Sequence, residues 1–198
     1  MIDALILDLG NVLAFHDNEK LFEAMAKAFR TSRKDLRVRL EGGLWDRVNR
    51  GQLPGDALRQ ELVARLGQEV SPDDWLALWN CHFTIHDEMA RVVEGLVGKT
   101  RLVLLSNTHD QHVAWLRPRL PVLEKFDALV LSCEVGAVKP ERAIYQRAVD
   151  AAQVPAHRAV FFDDVARYAE AAIEAGLQGR VFTTVPHFLD DLRELGVD

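Results

Sequence analysis

The residues of this sequence that are best suited to chemistry stand at the ends of short apolar runs or just beyond them. They are Asp8, Ser106, Asn107, Lys139, Asp163 and Asp164. Carboxylates, a hydroxyl and an amine make chemical sense together for a phosphate ester with magnesium. Hard oxygen ligands suit a cation that keeps several waters and bridges to phosphate oxygens. The set therefore indicates phosphoryl chemistry, provided that the fold brings these residues together.

Each of these residues has a task in such a site. Asp8 is suited to in-line attack that forms an aspartyl-phosphate. The hydroxyl of Ser106 and nearby backbone N–H groups can hold the other phosphate oxygens, and Lys139 can neutralise negative charge around the nucleophile. The alternative for Asp8 is a cap or turn role, which most aspartates at strand ends have. The polar groups at the later strand ends favour the catalytic interpretation.

The elements that must position these residues are strands of one sheet. Apolar runs predict strands at 3–8, 101–107, 128–132, 159–164 and 179–184. Single helices are predicted between and after them, at about 88–98, 110–117, 140–152, before Gly176 and at 187–195. This alternation favours an α/β fold with a Rossmann-like parallel sheet of about five strands and right-handed crossovers. Because parallel strands point the same way, the polar residues at their ends would meet at one edge.

The region between the first two strands has a different texture. From about Asn18 to Met89 the sequence shows helical periodicity and almost no β-branched runs. Breaks at Gly42-Gly43, at 51–55, at Gly67 and at Ser71-Pro72 divide it into four or five short helices. We therefore predict two domains, an α/β core at 1–15 and 89–198 and a helical bundle at 16–88.

Composition and charge narrow the classes of protein. The chain has 198 residues, and its formal net charge of -6 gives no global attraction to nucleic acid or to an anionic membrane. Cys81 and Cys133 lie far apart and form no disulfide or metal pattern, which is consistent with a reducing compartment. The sequence has no apolar run long enough for a membrane span and no basic-then-apolar stretch typical of a signal peptide. We expect a cytoplasmic protein, either a monomer or a homodimer.

Four motifs in this order resemble those of the haloacid dehalogenase-like hydrolases. They are Asp-Leu-Gly-Asn-Val at 8–12, Leu-Leu-Ser-Asn-Thr at 104–108, Val-Lys-Pro at 138–140 and Phe-Phe-Asp-Asp at 161–164. The resemblance covers the whole chain, and the region at 16–88 resembles the α-helical cap that this family inserts after the first strand. The first motif is most similar to a branch of small sugar-phosphate phosphatases that share the glycine.

The resemblance implies a magnesium-dependent phosphatase that acts on a small phosphorylated metabolite, such as a sugar phosphate, through an aspartyl-phosphate. By this resemblance Asp8 is the nucleophile, and Asp8, the backbone carbonyl of Gly10 and Asp164 hold magnesium. Asp163 completes the metal site by orienting a metal-bound water, or else orients Lys139, the second catalytic residue.

The phosphate- and substrate-binding residues follow in the same way. The resemblance implies that Ser106, Asn107 and Lys139 contact the transferring phosphoryl group. Trp45, next to the flexible Gly42-Gly43, is the cap residue that we expect to face the substrate. Trp75 and Trp79, at helical spacing, are expected in the core of the bundle instead.

Two positions depart from the family pattern. Most phosphatases of the family carry a second aspartate two residues after the nucleophile as general acid and base, and here that position is Gly10. Losing such help commonly costs on the order of a hundredfold or more in rate. His16 or Asp17 could substitute, although exposed linker residues are the more common outcome. Tyr168 replaces an asparagine of the last motif, so we expect altered orientation there and a retained metal site.

Two other functions remain open. A dehalogenase would use Asp8 to attack carbon without a metal, but the pair Asp163-Asp164 and the glycine at position 10 count against it. A binding protein with weak or no turnover would follow if Gly10 abolished catalysis, but the retained polar motifs count against complete loss. Fold alone does not decide among these functions.

The remaining histidines have simpler interpretations. His82 and His86 lie near Cys81, but their spacing does not support zinc, so satisfied or exposed side chains are expected. His109 and His112 follow Ser106 closely. One of them could reach the site, and a role at the start of a helix is at least as good an explanation.

Overall fold

The computed structural model describes residues 2–40 and 43–197. Its strands are β1 (Ala4–Leu7), β2 (Ala14–His16), β3 (Phe83–Ile85), β4 (Arg101–Ser106), β5 (Ala128–Leu131), β6 (Ala159–Asp163) and β7 (Gln178–Val181). Five of them form a parallel sheet in the order β5-β4-β1-β6-β7. β1 is therefore the central strand, and the predicted Rossmann-like α/β fold is confirmed.

The helices occupy the two regions that the sequence separates. They are α1 (Asn18–Ala28), α2 (Arg33–Leu40), α3 (Leu44–Asn49), α4 (Ala57–Leu66), α5 (Pro72–Asn80), α6 (Asp87–Leu96), α7 (Asp110–Leu116), α8 (Ser132–Val135), α9 (Arg142–Ala152), α10 (Ala166–Glu174) and α11 (Val185–Glu194). Short 3-10 helices at Pro121–Lys125 and Ala156–Arg158 complete the connections. Within the described residues, no helix combines the length and the apolar composition needed to cross a bilayer.

Both faces of β1 are buried. Successive side chains of a strand point to opposite faces of the sheet, so β1 contributes residues to a different hydrophobic cluster on each face. Leu5 and Leu7 belong to a hydrophobic cluster with residues of α6, α7 and α11. Ala4 and Ile6 belong to a second cluster with residues of α9 and α10. A strand enclosed on both sides reads as a continuous apolar run, which is why β1 was visible in the sequence.

Helices α1 to α5 surround a third hydrophobic cluster of their own. Trp75 and Trp79 are its largest fully buried side chains and stack with ring centroids 5.1 Å apart, as expected for core residues. Ser71 caps α5 by accepting a hydrogen bond from the Asp74 N–H, and Pro72 occupies the first turn. Of the predicted break at Gly42-Gly43, Gly42 lies outside the described residues, and Gly43 precedes α3 with φ of 87°.

A two-stranded antiparallel ribbon, which was not predicted, connects the bundle to the sheet. β2 pairs with β3 so that Ala14 faces Ile85 and His16 faces Phe83. Each strand has only three residues, which is too short for periodicity to distinguish from a loop. The ribbon lies across the predicted boundary at residues 15–16 and fixes where the bundle joins the sheet.

Candidate active site

The site is built around Asp8, which follows the central strand. Its backbone N–H donates to the Phe162 carbonyl of β6, so the sheet pairing extends one residue past β1. The next turn closes quickly, because the N–H groups of Leu13 and Ala14 both donate to the Leu9 carbonyl. Asp8 is only 6% exposed and is held where the carboxyl ends of β1, β4 and β6 meet.

Lys139 lies between two carboxylates at this edge. Its Nζ is 2.8 Å from Asp8 Oδ1 and 2.6 Å from Asp163 Oδ2, and the lysine is 3% exposed. Asn107 fixes the lysine backbone with both ends of its amide. Its Oδ1 accepts from the Lys139 N–H at 2.8 Å, and its Nδ2 donates to the Lys139 carbonyl at 3.1 Å. The Asn107 side chain, predicted to contact phosphate, thus has a positioning contact with Lys139.

Burial sets the protonation of this group. Removal from water raises the pKa of Asp8 to about 7, with repulsion from Asp163 adding to the shift and the Lys139 ammonium opposing it. Burial also raises the pKa of Asp163. For Lys139 the two carboxylates outweigh burial and raise the pKa of the amine. One ammonium therefore faces two buried carboxyl groups, an arrangement that a further positive charge would stabilise.

Three carboxylates are placed to bind such a positive charge. Oxygen atoms of Asp8, Asp163 and Asp164 all lie within 4.8 Å of one another. Asp163 has both oxygens engaged, since Oδ1 accepts from the Val165 N–H and Oδ2 contacts Lys139. Asp8 and Asp164 are the freer ligands. An all-oxygen donor set of this kind fits a hard divalent cation such as magnesium.

A cavity of about 340 Å³ opens above these residues, between the sheet edge and the helical bundle. Its floor includes Asp8, Gly10, Ser106 and Asp164, and Trp45 lies in its wall on the bundle side. The structure thus brings every residue that we predicted for the site to one cavity. Those that line it are Asp8, Gly10, Trp45, Ser106, Asn107, Lys139 and Asp164, and the buried Asp163 lies behind Lys139.

Tyr168 also lines the cavity, next to the lysine. The Lys139 Nζ lies 5.1 Å from the centroid of the Tyr168 ring, within range of a cation–π contact. The tyrosine backbone carbonyl accepts a hydrogen bond from the Tyr145 hydroxyl. The residue that departs from the family motif therefore packs beside Lys139.

Four histidines surround the upper part of the cavity: His16, His82, His109 and His112. His109 has the predicted helix-start role, because its side chain caps α7 by accepting from the Gln111 N–H. His112 Nδ1 lies 2.8 Å from Asn80 Oδ1. Burial lowers the pKa of His112 well below its usual value and that of His82 to about 4. Both rings are neutral near pH 7.

His82 and His86 differ in whether their Nδ1 atoms have hydrogen-bond partners. His86 is satisfied, as expected, with Nδ1 2.8 Å from the Val12 carbonyl. The expectation for His82 was wrong, because it is 5% exposed and its Nδ1 has no hydrogen-bond partner among the described residues. Within residues 2–40 and 43–197, the histidines and cysteines form no group suited to a metal, and the three aspartates do.

Asn11 and His16, both near Asp8, differ from what the sequence predicts. Asn11, with φ of 53°, donates from Nδ2 to Asp164 Oδ2 at 2.8 Å and had been given no role. Its signal was its place next to Gly10 in the first motif. Asp17 is exposed and caps α1 through the Lys20 N–H. His16, expected as an exposed linker residue, is half-buried and lines the cavity.

A Rossmann-like sheet with an aspartate after its central strand, a lysine beside it and a carboxylate cluster defines a class of hydrolases with an aspartate nucleophile. Comparison with known proteins assigns the family. The model of the haloacid dehalogenase-like hydrolases matches residues 2–176, so the chain belongs to this family.

Individual relatives are similar over most of their length. The D-ribitol-5-phosphate phosphatase of Bacteroides thetaiotaomicron is 26% identical over 175 residues, which are 83% of this chain and 84% of that protein. A haloacid dehalogenase family enzyme of the same organism, solved with magnesium and inorganic phosphate, superposes with a TM-score of 0.84 at 26% identity over 95% of this chain and 99% of that one. A predicted haloacid dehalogenase-like family hydrolase of Porphyromonas gingivalis shares the fold, with a TM-score of 0.86 at 22% identity over 98% of each chain.

Proposed function

We propose that this protein is a magnesium-dependent phosphatase that acts on a small phosphorylated metabolite. The observation that carries the proposal is the position of Asp8, 2.8 Å from the Lys139 ammonium and within 4.8 Å of the other two carboxylates, on the floor of the cavity between the sheet edge and the helical bundle. The related enzyme solved with magnesium and inorganic phosphate supports it.

The side chains suggest how the reaction would run. Asp8, whose carboxylate form the Lys139 ammonium favours, attacks phosphorus in line and forms an aspartyl-phosphate, which water then hydrolyses. Asp8, Asp164 and the Gly10 carbonyl would hold magnesium, with Asp163 holding Lys139. When bound, the cation neutralises charge on the phosphoryl oxygens. The Ser106 hydroxyl, buried on the cavity floor, would hold one of those oxygens.

The substrate we infer is a phosphorylated polyol or sugar. A volume of about 340 Å³ accommodates a molecule of a few carbons with its phosphate, and the wall contributes aromatic and amide side chains, among them Trp45 and Asn49. The relative that acts on D-ribitol 5-phosphate supports this class. Residues 16–88 would act as the cap that covers the substrate and excludes bulk water.

The alternatives fit the geometry less well. A dehalogenase needs no metal, and it would have to keep three mutually close carboxylates beside the nucleophile without using them for a cation. A protein that only binds would have no use for a buried lysine between two carboxyl groups, because such a group is costly to bury.

We also propose that the enzyme works in the cytoplasm, as a monomer or homodimer, without nucleic acid or membrane partners.

Hydrolysis of p-nitrophenyl phosphate tests the proposal. Activity should require magnesium, disappear with EDTA and fall below detection in Asp8→Asn, because that variant keeps the shape of the side chain and removes the nucleophile. Asp190→Asn, on the exposed outer face of α11, serves as the control and should keep full activity. Activity that persists in EDTA or in Asp8→Asn would contradict the proposed mechanism.

A further inference from the structure

Gly10 has no side chain, and the ring of His16 fills the space that an acidic side chain at this position would occupy. A Cβ placed on Gly10 would lie 3.1 Å from both Cδ2 and Nε2 of His16 and 3.7 Å from Asp8 Oδ2. A side chain at position 10 would thus meet the His16 ring on one side and the nucleophile on the other. The imidazole occupies the space that a residue two positions after the nucleophile would use.

His16 is held in this place by the chain around it. His16 ends β2, where it pairs with Phe83 of β3. Its backbone N–H donates to Asn11 Oδ1 at 3.3 Å. Asn11 Nδ2 lies 3.4 Å from His16 Nε2 and also donates to Asp164. Asn11 therefore connects the imidazole to a candidate magnesium ligand. The ring is half-buried and lines the cavity, so it is accessible to a substrate.

Other groups near the cavity are less suited to move a proton there. Asp17 is exposed and engaged as the cap of α1. His109 is occupied on both ring nitrogens, by the Leu53 carbonyl and by the Trp79 and Gln111 N–H groups. His82 and His112 are buried, and burial disfavours the imidazolium form that a general acid needs in the first step.

We propose that His16 is the general acid and base of this enzyme, in the place of the aspartate that Gly10 lacks. The inference rests on the proposed phosphatase function. In the first step the bond from phosphorus to the leaving oxygen breaks, the Asp8–phosphorus bond forms, and protonated His16 gives its proton to the leaving oxygen. In the second step neutral His16 takes a proton from water as the water oxygen bonds to phosphorus, and the Asp8–phosphorus bond breaks to release inorganic phosphate and restore the Asp8 carboxylate.

Substituted phenyl phosphates test the acid role without knowledge of the natural substrate. In His16→Gln, which keeps a polar side chain of similar length, kcat/KM for phenyl phosphate should fall on the order of a hundredfold. The loss should shrink for p-nitrophenyl phosphate, since its leaving group needs little protonation. Asp17→Asn is the matched control, because asparagine still caps a helix, and it should behave as wild type on both esters. An equal loss on both esters, or none, would overturn the acid role.

The phosphoenzyme tests the base role separately. With p-nitrophenyl phosphate, His16→Gln should still form the aspartyl-phosphate but clear it slowly, so intact-protein mass after an acid quench should show more phosphorylated chain than in wild type. A variant that is folded by thermal unfolding and accumulates no phosphoenzyme would overturn this role. If wild type forms no phosphoenzyme and shows no magnesium-dependent turnover, the proposed function itself fails, and that result is distinct from either outcome for His16.

A double variant tests the claim of shared space. His16→Ala vacates the volume next to position 10, and Gly10→Asp then places a carboxyl group there. The double variant should recover part of the phenyl phosphate activity that His16→Ala loses. A folded double variant that is no faster than His16→Ala would overturn the claim that the two positions serve one function.

Discussion

At the scale of single residues, the site depends on groups that hold the reacting groups in place. Asn107 uses both ends of its amide on the backbone of Lys139, 32 positions away along the chain. Lys139 in turn spans Asp8 and Asp163. A lysine side chain has several rotatable bonds, so fixing its backbone helps to determine where the ammonium lies relative to Asp8.

Asn107→Ala should therefore lower activity without removing any reacting group. Each lost hydrogen bond costs about 1 kcal/mol, and the unsatisfied Lys139 backbone adds to that cost. We expect the free energy of unfolding to fall by about 2 kcal/mol and kcat to fall at least about tenfold. Urea unfolding and steady-state kinetics measure both quantities. Asn107→Asp keeps the acceptor for the Lys139 N–H but turns a carboxylate oxygen towards the Lys139 carbonyl, so it should not restore wild-type stability. Wild-type stability and kcat in Asn107→Ala would contradict the positioning role.

The same residues show how far the sequence reaches. Asp8, Ser106, Lys139 and Asp164 were predictable because their side-chain chemistry and their places after apolar runs are both visible in the sequence. The clamp made by Asn107 was not, because its partner is a backbone group that only the folded loop brings near. The place of His16 depends likewise on pairing with a strand almost seventy residues away.

At the scale of elements, long apolar runs were easier to predict than short ones. The five strands of the sheet begin and end within a few residues of the predicted bounds, since burial on both faces leaves a continuous signal. The β2–β3 ribbon carries no such signal in its six residues. This ribbon and the adjoining end of α5 place several histidines in an apolar setting, which gives them a measurable effect on stability.

His82, next to β3, should make the protein less stable in mild acid. Burial, with repulsion from His16 as the next cause, lowers the pKa of His82 to about 4 in the folded state, against about 6.5 in the unfolded chain. Between these values the unfolded state binds the proton and the folded state does not, so stability falls as the pH falls from about 6.5 towards 4. The contribution amounts to about 2 kcal/mol between pH 7 and pH 5.

Urea unfolding at several pH values measures this effect. His82→Gln removes the titrating ring and should lose about 2 kcal/mol less than wild type between pH 7 and pH 5. His157→Gln, at an exposed position far from the cavity, should keep the wild-type pH dependence. Identical curves for wild type and His82→Gln would contradict the prediction, because they would show that the ring binds its proton equally well in the folded and unfolded states.

At the scale of the whole molecule, activity depends on how the helical bundle sits on the sheet. An ion pair joins them, since Arg50 after α3 contacts Glu141 at 2.5 Å. Both side chains are partly exposed, and a pair of this kind contributes only about 0–1 kcal/mol. Hydrogen bonds join them as well, since the Gly55 N–H donates to Asp110 and the Trp75 Nε1 donates to Gln111. Because the partly exposed ion pair contributes so little, the fit of the two surfaces matters more than charge at this junction.

The two surfaces approach each other closely at Gly51, directly after Arg50. A Cβ at this position would lie 1.9 Å from the carbonyl oxygen of Cys133 in α8, a distance that neither backbone can accept without moving. Gly51→Ala should push the end of α3 away from the sheet and open the wall that carries Trp45. In the proposed mechanism the bundle covers the substrate and excludes water, so kcat/KM for phosphate esters should fall on the order of tenfold or more.

Gly55→Ala separates this effect from backbone strain. Gly51 and Gly55 both have positive φ, of 70° and 55°, so alanine costs about 1 kcal/mol at either position. A Cβ on Gly55 would have no atom within 4 Å, whereas the one on Gly51 meets Cys133. Both variants should lose stability in urea, but only Gly51→Ala should also lose activity under conditions in which it is folded. Equal activity in the two folded variants would mean that the fit of the bundle at Cys133 does not control turnover, and that the cavity tolerates a displaced wall.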